Sequence, residues 1–110
     1  MSDLPFELSP EQAAELVASG KAELIDVREP YEREAGHIPG SLHIELGDLA
    51  NRAGELPAER PLVFQCRVGA RSAQAAFAFR RAEFDAHNLY GGIVSWAECG
   101  LPVDGEIAPH

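Results

Sequence analysis

The stretch Pro61-Leu62-Val63-Phe64-Gln65-Cys66-Arg67-Val68-Gly69-Ala70-Arg71-Ser72 holds the fold decision. Leu62-Val63-Phe64 is a short apolar run behind a proline, the pattern of a buried strand. From Ser72 to Arg81, Ala73, Ala76 and Phe77 recur at helical spacing, and Phe84 closes that element. Between strand and helix lies the loop Cys66 to Arg71. In open α/β sheets ligands sit beyond the carboxyl ends of the strands, which is where this loop falls.

Working outward, the same alternation repeats. Phe6-Glu7-Leu8 reads as a short β entry, and Ser9, Pro10 and Gln12 give an N-cap, a first-turn proline and a capping-box partner. Ala13, Ala14, Leu16 and Val17 form one apolar face that Gly20 terminates. Leu24 to Val27 is a second buried strand. Glu29 to Ala35 is charged and led by Pro30, so a short exposed helix ending at Gly36 is expected, its acidic run a solvated face. Leu42 to Ile44 is a short extended piece, followed by a helix of some eight residues around Asp48 and Leu49 and a loop from Gly54 to Pro61. Asn88-Leu89 is a last strand, Gly91-Gly92 a turn, Ile93 to Glu98 a final helix, and 104–110 a frayed tail. Strands alternating with helices imply right-handed parallel crossovers and a sheet covered on both faces.

The 110 residues make one domain, 1–110, with its core at about 6–103. Hydrophobic residues at 45% and charged residues at 25% are those of an ordinary globular protein. A formal net charge of −9 argues against nucleic acid and against anionic membrane surfaces. The opening MSDLPFELSP carries neither a basic nor an apolar export region, so a cytoplasmic location is expected. Two cysteines are too few for a disulfide framework.

Cys66 is the candidate nucleophile. A thiol attacks as its thiolate. Helix-terminal N–H groups, the positive end of the helix dipole, and the charges of Arg67 and Arg71 would all favour that form. Gly69 lets the loop curl so that N–H groups converge on one point. The bland alternative is a small apolar residue at a strand end; the enclosing loop speaks against it.

Four stretches carry a family likeness: Leu24 to Glu29, Gly36 to Ser41, Cys66 to Ser72, and Leu89 to Ile93 with Trp96 and Gly100 to Val103. In that order the chain resembles a single-domain rhodanese-type sulfurtransferase over about residues 6–103. The resemblance implies an α/β, three-layer domain with a five-stranded, mainly parallel sheet and helices on both faces. It implies that Cys66 takes sulfane sulfur from thiosulfate or a persulfide donor and passes it to cyanide or a thiol, with a protein acceptor conceivable. Arg67 and Arg71 would contact the donor's sulfonate, in a substrate-binding loop that includes Val68, Gly69 and Ala70. Asp26, Arg28 and Ser72 would brace that loop. No metal or organic cofactor is implied. Related phosphatases and arsenate reductases have Cys-x5-Arg; the Cys-x4-Arg here is one residue shorter and favours sulfur transfer. A partner-binding module without chemistry is the other alternative, and the presence of Cys66 weighs against it.

The chain departs from the family pattern at three points. Arg33 stands where an aromatic residue is common, Glu83 replaces a usual glycine, and Cys99 stands where alanine is frequent. Cys99 is expected to pack beside Trp96 and Leu101, with Trp96 in the core. His37 and His43 lack a third ligand for zinc, which normally has three or four from the protein, so His37 is expected to hydrogen-bond structurally. Asp26 and Arg28 are expected to face opposite ways at the strand end.

Overall fold

The computed structural model describes residues 2–109. In chain order the elements are β1 (Glu7–Leu8), α1 (Pro10–Ala18), β2 (Glu23–Asp26), α2 (Pro30–Ala35), β3 (Gly36–His37) and β4 (Leu42–His43). They continue with α3 (Leu49–Arg52), β5 (Leu62–Gln65), α4 (Ala70–Arg81), β6 (Ala86–Leu89), α5 (Gly92–Glu98) and β7 (Asp104–Gly105). The main sheet has five parallel strands in the order β1-β6-β5-β2-β4. Its central strand, β5, therefore delivers Cys66 to the middle of the carboxyl edge.

Side-chain alternation explains the layering. Leu62, Phe64 and Cys66 point to one face, where they meet Ala75, Ala76 and Phe79 of α4 and Leu49 of α3. Val63 and Leu24 point to the other, against Ala13 of α1 and Ile93 and Trp96 of α5. Trp96 is in the core as expected, its indole Nε1–H donating to the Pro102 carbonyl at 2.8 Å. The expected capping box is also formed: Gln12 N donates to Ser9 Oγ at 3.1 Å, and Ser9 N to Gln12 Oε1 at 2.9 Å.

Several expectations need correction. The helix near Asp48 is broken: a 3₁₀ turn (Leu46–Asp48), one α turn, and a second 3₁₀ turn (Ala53–Glu55) that occupies the start of the expected loop. The tail is not frayed over its described part. β7 pairs antiparallel with β3, Glu106 N donates to the Ala35 carbonyl at 2.8 Å, and Ile107 packs on the core; His110 lies outside the described residues. Asp26 and Arg28 do not face opposite ways, because residues two apart on a strand share a side. Their side chains form a fully buried bidentate pair, Arg28 Nε and Nη2 to Asp26 Oδ1 and Oδ2, each at 2.9 Å.

Arg33, at the aromatic position, turns polar contact into packing. Its Nη1 donates to Ser41 Oγ at 2.7 Å and its Nη2 to the Ser41 carbonyl at 2.8 Å. Glu83 does adopt a left-handed backbone, with φ 71°, which for a residue with a Cβ costs about 1 kcal/mol. No helix among the described residues is long and apolar enough to cross a membrane.

Candidate active site

β5 ends at Gln65, and the chain must turn at once to start α4. Gly69 sits at the N-cap of α4 with φ 106°, a conformation open to glycine. A glycine cap has no side chain to accept the free N–H groups of the first turn, which need a partner. Cys66 Sγ supplies one. It receives Gly69 N at 3.1 Å, Ser72 N at 3.4 Å and lies 3.3 Å from Ser72 Oγ. The sulfur is thus the helix cap, and the thiol is only 1% exposed. Donors converging on one atom suit an anionic sulfur.

The loop is gripped from below by α5. The first N–H groups of α5 are also free of intrahelical partners, and they bind loop carbonyls: Ile93 N to Cys66 O at 2.9 Å and Val94 N to Arg67 O at 3.1 Å. Gly91 and Gly92 have φ 76° and 64°. A Cβ on Gly92 would collide with the Arg67 carbonyl, so the Gly91-Gly92 turn is what lets α5 approach.

From the side, Asn88 at the end of β6 holds the loop. Buried, it accepts from Ser72 Oγ at 2.6 Å and donates Nδ2–H bonds to Gly69 O at 3.2 Å and to Glu7 Oε1 at 2.8 Å. The hydroxyl of Ser72 is therefore directed at Asn88 and its oxygen lies beside the sulfur.

Cys66, Arg67, Val68, Ala70 and Arg71 line one cavity of about 240 Å³ together with Glu29. Gly69 turns away and lines a second hollow with Glu7, Val68, Asn88, Tyr90, Gly91 and Ser95. Ser72 sits under the sulfur. Among the described residues the side chains of Asp26 and Arg28 make no hydrogen bond to the loop; Arg28 Nη2 instead holds the Gly36 carbonyl at 2.8 Å, at the end of α2. Their link to the site runs through α2, which carries Glu32.

Glu29 and Glu34 are exposed, as expected of a solvated acidic face, but Glu32 is the exception. It is 3% exposed. Arg71 Nη1 donates to its Oε1 at 2.8 Å and Arg71 Nη2 to its Oε2 at 2.9 Å. The Arg71 hydrogen bonds hold the Glu32 carboxyl below its ordinary range against the opposing effect of burial, and the Arg71 guanidinium is raised in turn. Arg67 Nε donates to the Ala108 carbonyl at 3.2 Å. Both arginines are present in the loop, but each already serves the protein.

Cys99 is exposed at the C-cap of α5, not packed beside Trp96 and Leu101. His37 Nδ1 lies 3.3 Å from the Arg33 carbonyl, and His43 Nε2 lies 2.7 Å from the Arg28 carbonyl. Both rings thus serve backbone carbonyls. Among the described residues no group of three or more His, Cys, Asp or Glu side chains is placed to hold a metal ion.

Sequence reading missed Glu32, Asn88 and the Gly92 approach. Glu32 was legible only as the third residue of a helix beginning at Pro30, where a Glu side chain reaches back to the Glu29 N–H, which it does here at 3.0 Å. Nothing local singles out Asn88.

The sequence pattern of the rhodanese-like domain matches residues 9–99. A sulfurtransferase of Allochromatium vinosum is 41% identical over 88 residues, covering 79% of each chain. The thiosulfate sulfurtransferase GlpE of Pseudomonas aeruginosa is 37% identical over 97 residues, covering 87% of each. The crystal structure of a rhodanese-related protein from Thermoplasma volcanium superposes with a TM-score of 0.84 at 28% identity, over 93% of this chain and all of that one. With a central-strand cysteine capping the next helix and a five-stranded parallel sheet around it, the chain belongs to the rhodanese-like domain family, among its sulfurtransferases.

Proposed function

We propose that the protein moves sulfane sulfur from thiosulfate or a persulfide donor to cyanide or a thiol, through a persulfide on Cys66. The observation that carries this reading is the sulfur cap: Gly69 N, Ser72 N and Ser72 Oγ all lie within 3.4 Å of Cys66 Sγ. In the first half-reaction the Cys66 thiolate attacks the outer sulfur of the donor. An Sγ–S bond forms, the donor's S–S bond breaks, and sulfite or a thiolate leaves with the electron pair. In the second, the acceptor attacks the outer sulfur of the Cys66 persulfide and regenerates the thiolate. Such a two-step exchange is a ping-pong mechanism. The cavity of about 240 Å³ leaves room for the outer sulfur and a small donor. A protein could also deliver or collect the sulfur at this open rim.

The test is intact mass measurement after incubation with thiosulfate or cysteine persulfide. A gain of one sulfur atom, removed by excess thiol and absent in Cys66→Ser, is the expected result. No adduct from either donor overturns the reading. Hydrolysis of p-nitrophenyl phosphate or reduction of arsenate would instead place the loop with the longer Cys-x5-Arg enzymes.

A further inference from the structure

We propose that Glu32 is a specificity-determining residue: by clamping Arg71 it neutralises the charge of that guanidinium, so the site favours the persulfide of a thiol over a dianionic sulfonate donor. The inference rests on the Cys66 sulfur-transfer reading and names the donor class for it.

An arginine recognises a sulfonate or carboxylate through its fork of parallel N–H bonds. In Arg71 the Nη1–Nη2 end of that fork is taken and its charge is matched: Nη1 and Nη2 each give one N–H to the two oxygens of one carboxylate, at 2.8 and 2.9 Å. The carboxylate is buried while the arginine side chain is 30% exposed, so Glu32 sits beneath the guanidinium as a fixed counter-charge. Glu32 is held by its own helix as well, through the Glu29 N–H at 3.0 Å. A second carboxylate, Glu29, lines the mouth itself. Both glutamates act on Arg71, in a chain whose net charge is −9.

Charge balance decides which donor such a mouth suits. With thiosulfate, two negative charges approach the Cys66 thiolate, and sulfite departs still carrying two; both states need uncommitted positive charge nearby. With a thiol persulfide, the Cys66 thiolate attacks the outer sulfur of neutral R–S–SH. The new Sγ–S bond carries the sulfur and its proton, and R–S⁻ leaves with the electron pair and a single negative charge. That step needs much less cationic help. The exposed Val68, at 52%, offers an apolar contact to the organic half of such a donor.

The experiment compares second-order rates of sulfur loading onto Cys66 from thiosulfate and from zwitterionic cysteine persulfide, read by intact mass. In the wild type the persulfide is expected to load faster. In Glu32→Gln, with folding checked by circular dichroism, the thiosulfate-to-persulfide rate ratio is expected to rise about tenfold, since one negative charge beside a dianion is gone. An unchanged or lowered ratio overturns the proposal. A measurement on the wild type stands apart from that variant. The thiosulfate rate is expected to rise with salt, as screening weakens repulsion between a dianion and an acidic protein, whereas a rate that falls with salt reveals a cationic mouth and overturns the proposal. Loading from thiosulfate as fast as from persulfide overturns the donor preference alone. No loading from either donor overturns the Cys66 reading and this proposal with it.

Discussion

The two cysteines of this chain sit at opposite poles of two helices. Cys66 lies at the start of α4, where free N–H groups and the positive end of the dipole converge on its sulfur. Cys99 is the C-cap of α5, at the carbonyl-rich negative end, with Glu11 and Glu98 close by. Cys66 is almost fully buried and Cys99 is exposed. Exposure alone would name Cys99 as the reactive thiol, yet the electrostatics run the other way. A cysteine's chemistry is set by which end of the backbone it faces and what charges surround it.

The largest effect should come from exchanging the sulfur itself. Cys66→Ser is expected to lower sulfur-transfer kcat/KM by at least about a thousandfold, as loss of a covalent nucleophile does. Cys99→Ser should remain within about twofold of wild type, as for an exposed residue away from the site. Steady-state thiocyanate formation from thiosulfate and cyanide reads both. Equal losses in the two variants would break the contrast.

Next come the supports of the Cys66 pole. Gly92→Ala puts a Cβ against the Arg67 carbonyl and must push α5 from the loop. A displacement near 1 Å costs about a hundredfold in rate, so a kcat/KM loss of about that size is expected. Asn88→Ala takes from Ser72 Oγ its acceptor at 2.6 Å, while the Gly69 carbonyl keeps the Ala73 N–H. Unsatisfied buried groups cost about 1–3 kcal/mol, and urea unfolding should show a loss in that range. Wild-type kinetics in Gly92→Ala would mean that the α5 contacts do not position the sulfur.

How much of this was legible beforehand follows from the range of the forces involved. α1 was legible because Ser9, Pro10 and Gln12 act within one turn, and β5 because its apolar run needs no partner to be recognised. The five-strand order, by contrast, depends on pairings such as Glu7 with Asn88, far apart in the chain. The same holds within the site. Cys66, Gly69 and Ser72 announce themselves within seven residues, but Glu32 and Asn88 reach the loop only through the fold. Arg71 was visible as a charge, and its neutralisation was not, because a buried bidentate partner on another helix leaves no local mark. The tail follows the same rule: Asp104-Gly105 has loop chemistry until Gly36-His37 is brought alongside.

A smaller effect tests how far the positive surroundings of Cys66 are cancelled. Glu32 has an ordinary value of 4.5 and is lowered in the fold, chiefly by its hydrogen bonds to Arg71. A carboxyl lowered on folding contributes stability above its unfolded value, and that contribution disappears as pH falls through the folded value. The wild type should therefore lose about 1 kcal/mol more than Glu32→Gln between neutral pH and the region below 4.5. Urea midpoints measured across that range check it. Parallel curves for the two proteins would show that the ion pair contributes nothing, and that Arg71 is held without it.

The smallest and cleanest test concerns the other pole. The Cys99 thiol is raised above its ordinary value of 9.0, by shielding from water and then by the hydrogen bond and charge of Glu11, with the charge of Glu98 adding to them. In Cys66→Ser it is the only thiol left. Iodoacetamide alkylation of that variant should therefore follow a titration whose midpoint lies above 9.0, with slow labelling at neutral pH although the residue is exposed. Glu11→Gln in the same background should move the midpoint down and speed neutral labelling, because it removes a carboxylate that opposes the thiolate. A midpoint below 9.0, or one indifferent to Glu11, would mean that the carboxylates around the end of α5 do not govern this thiol. The difference between the two cysteines would then lie in the Cys66 cradle alone.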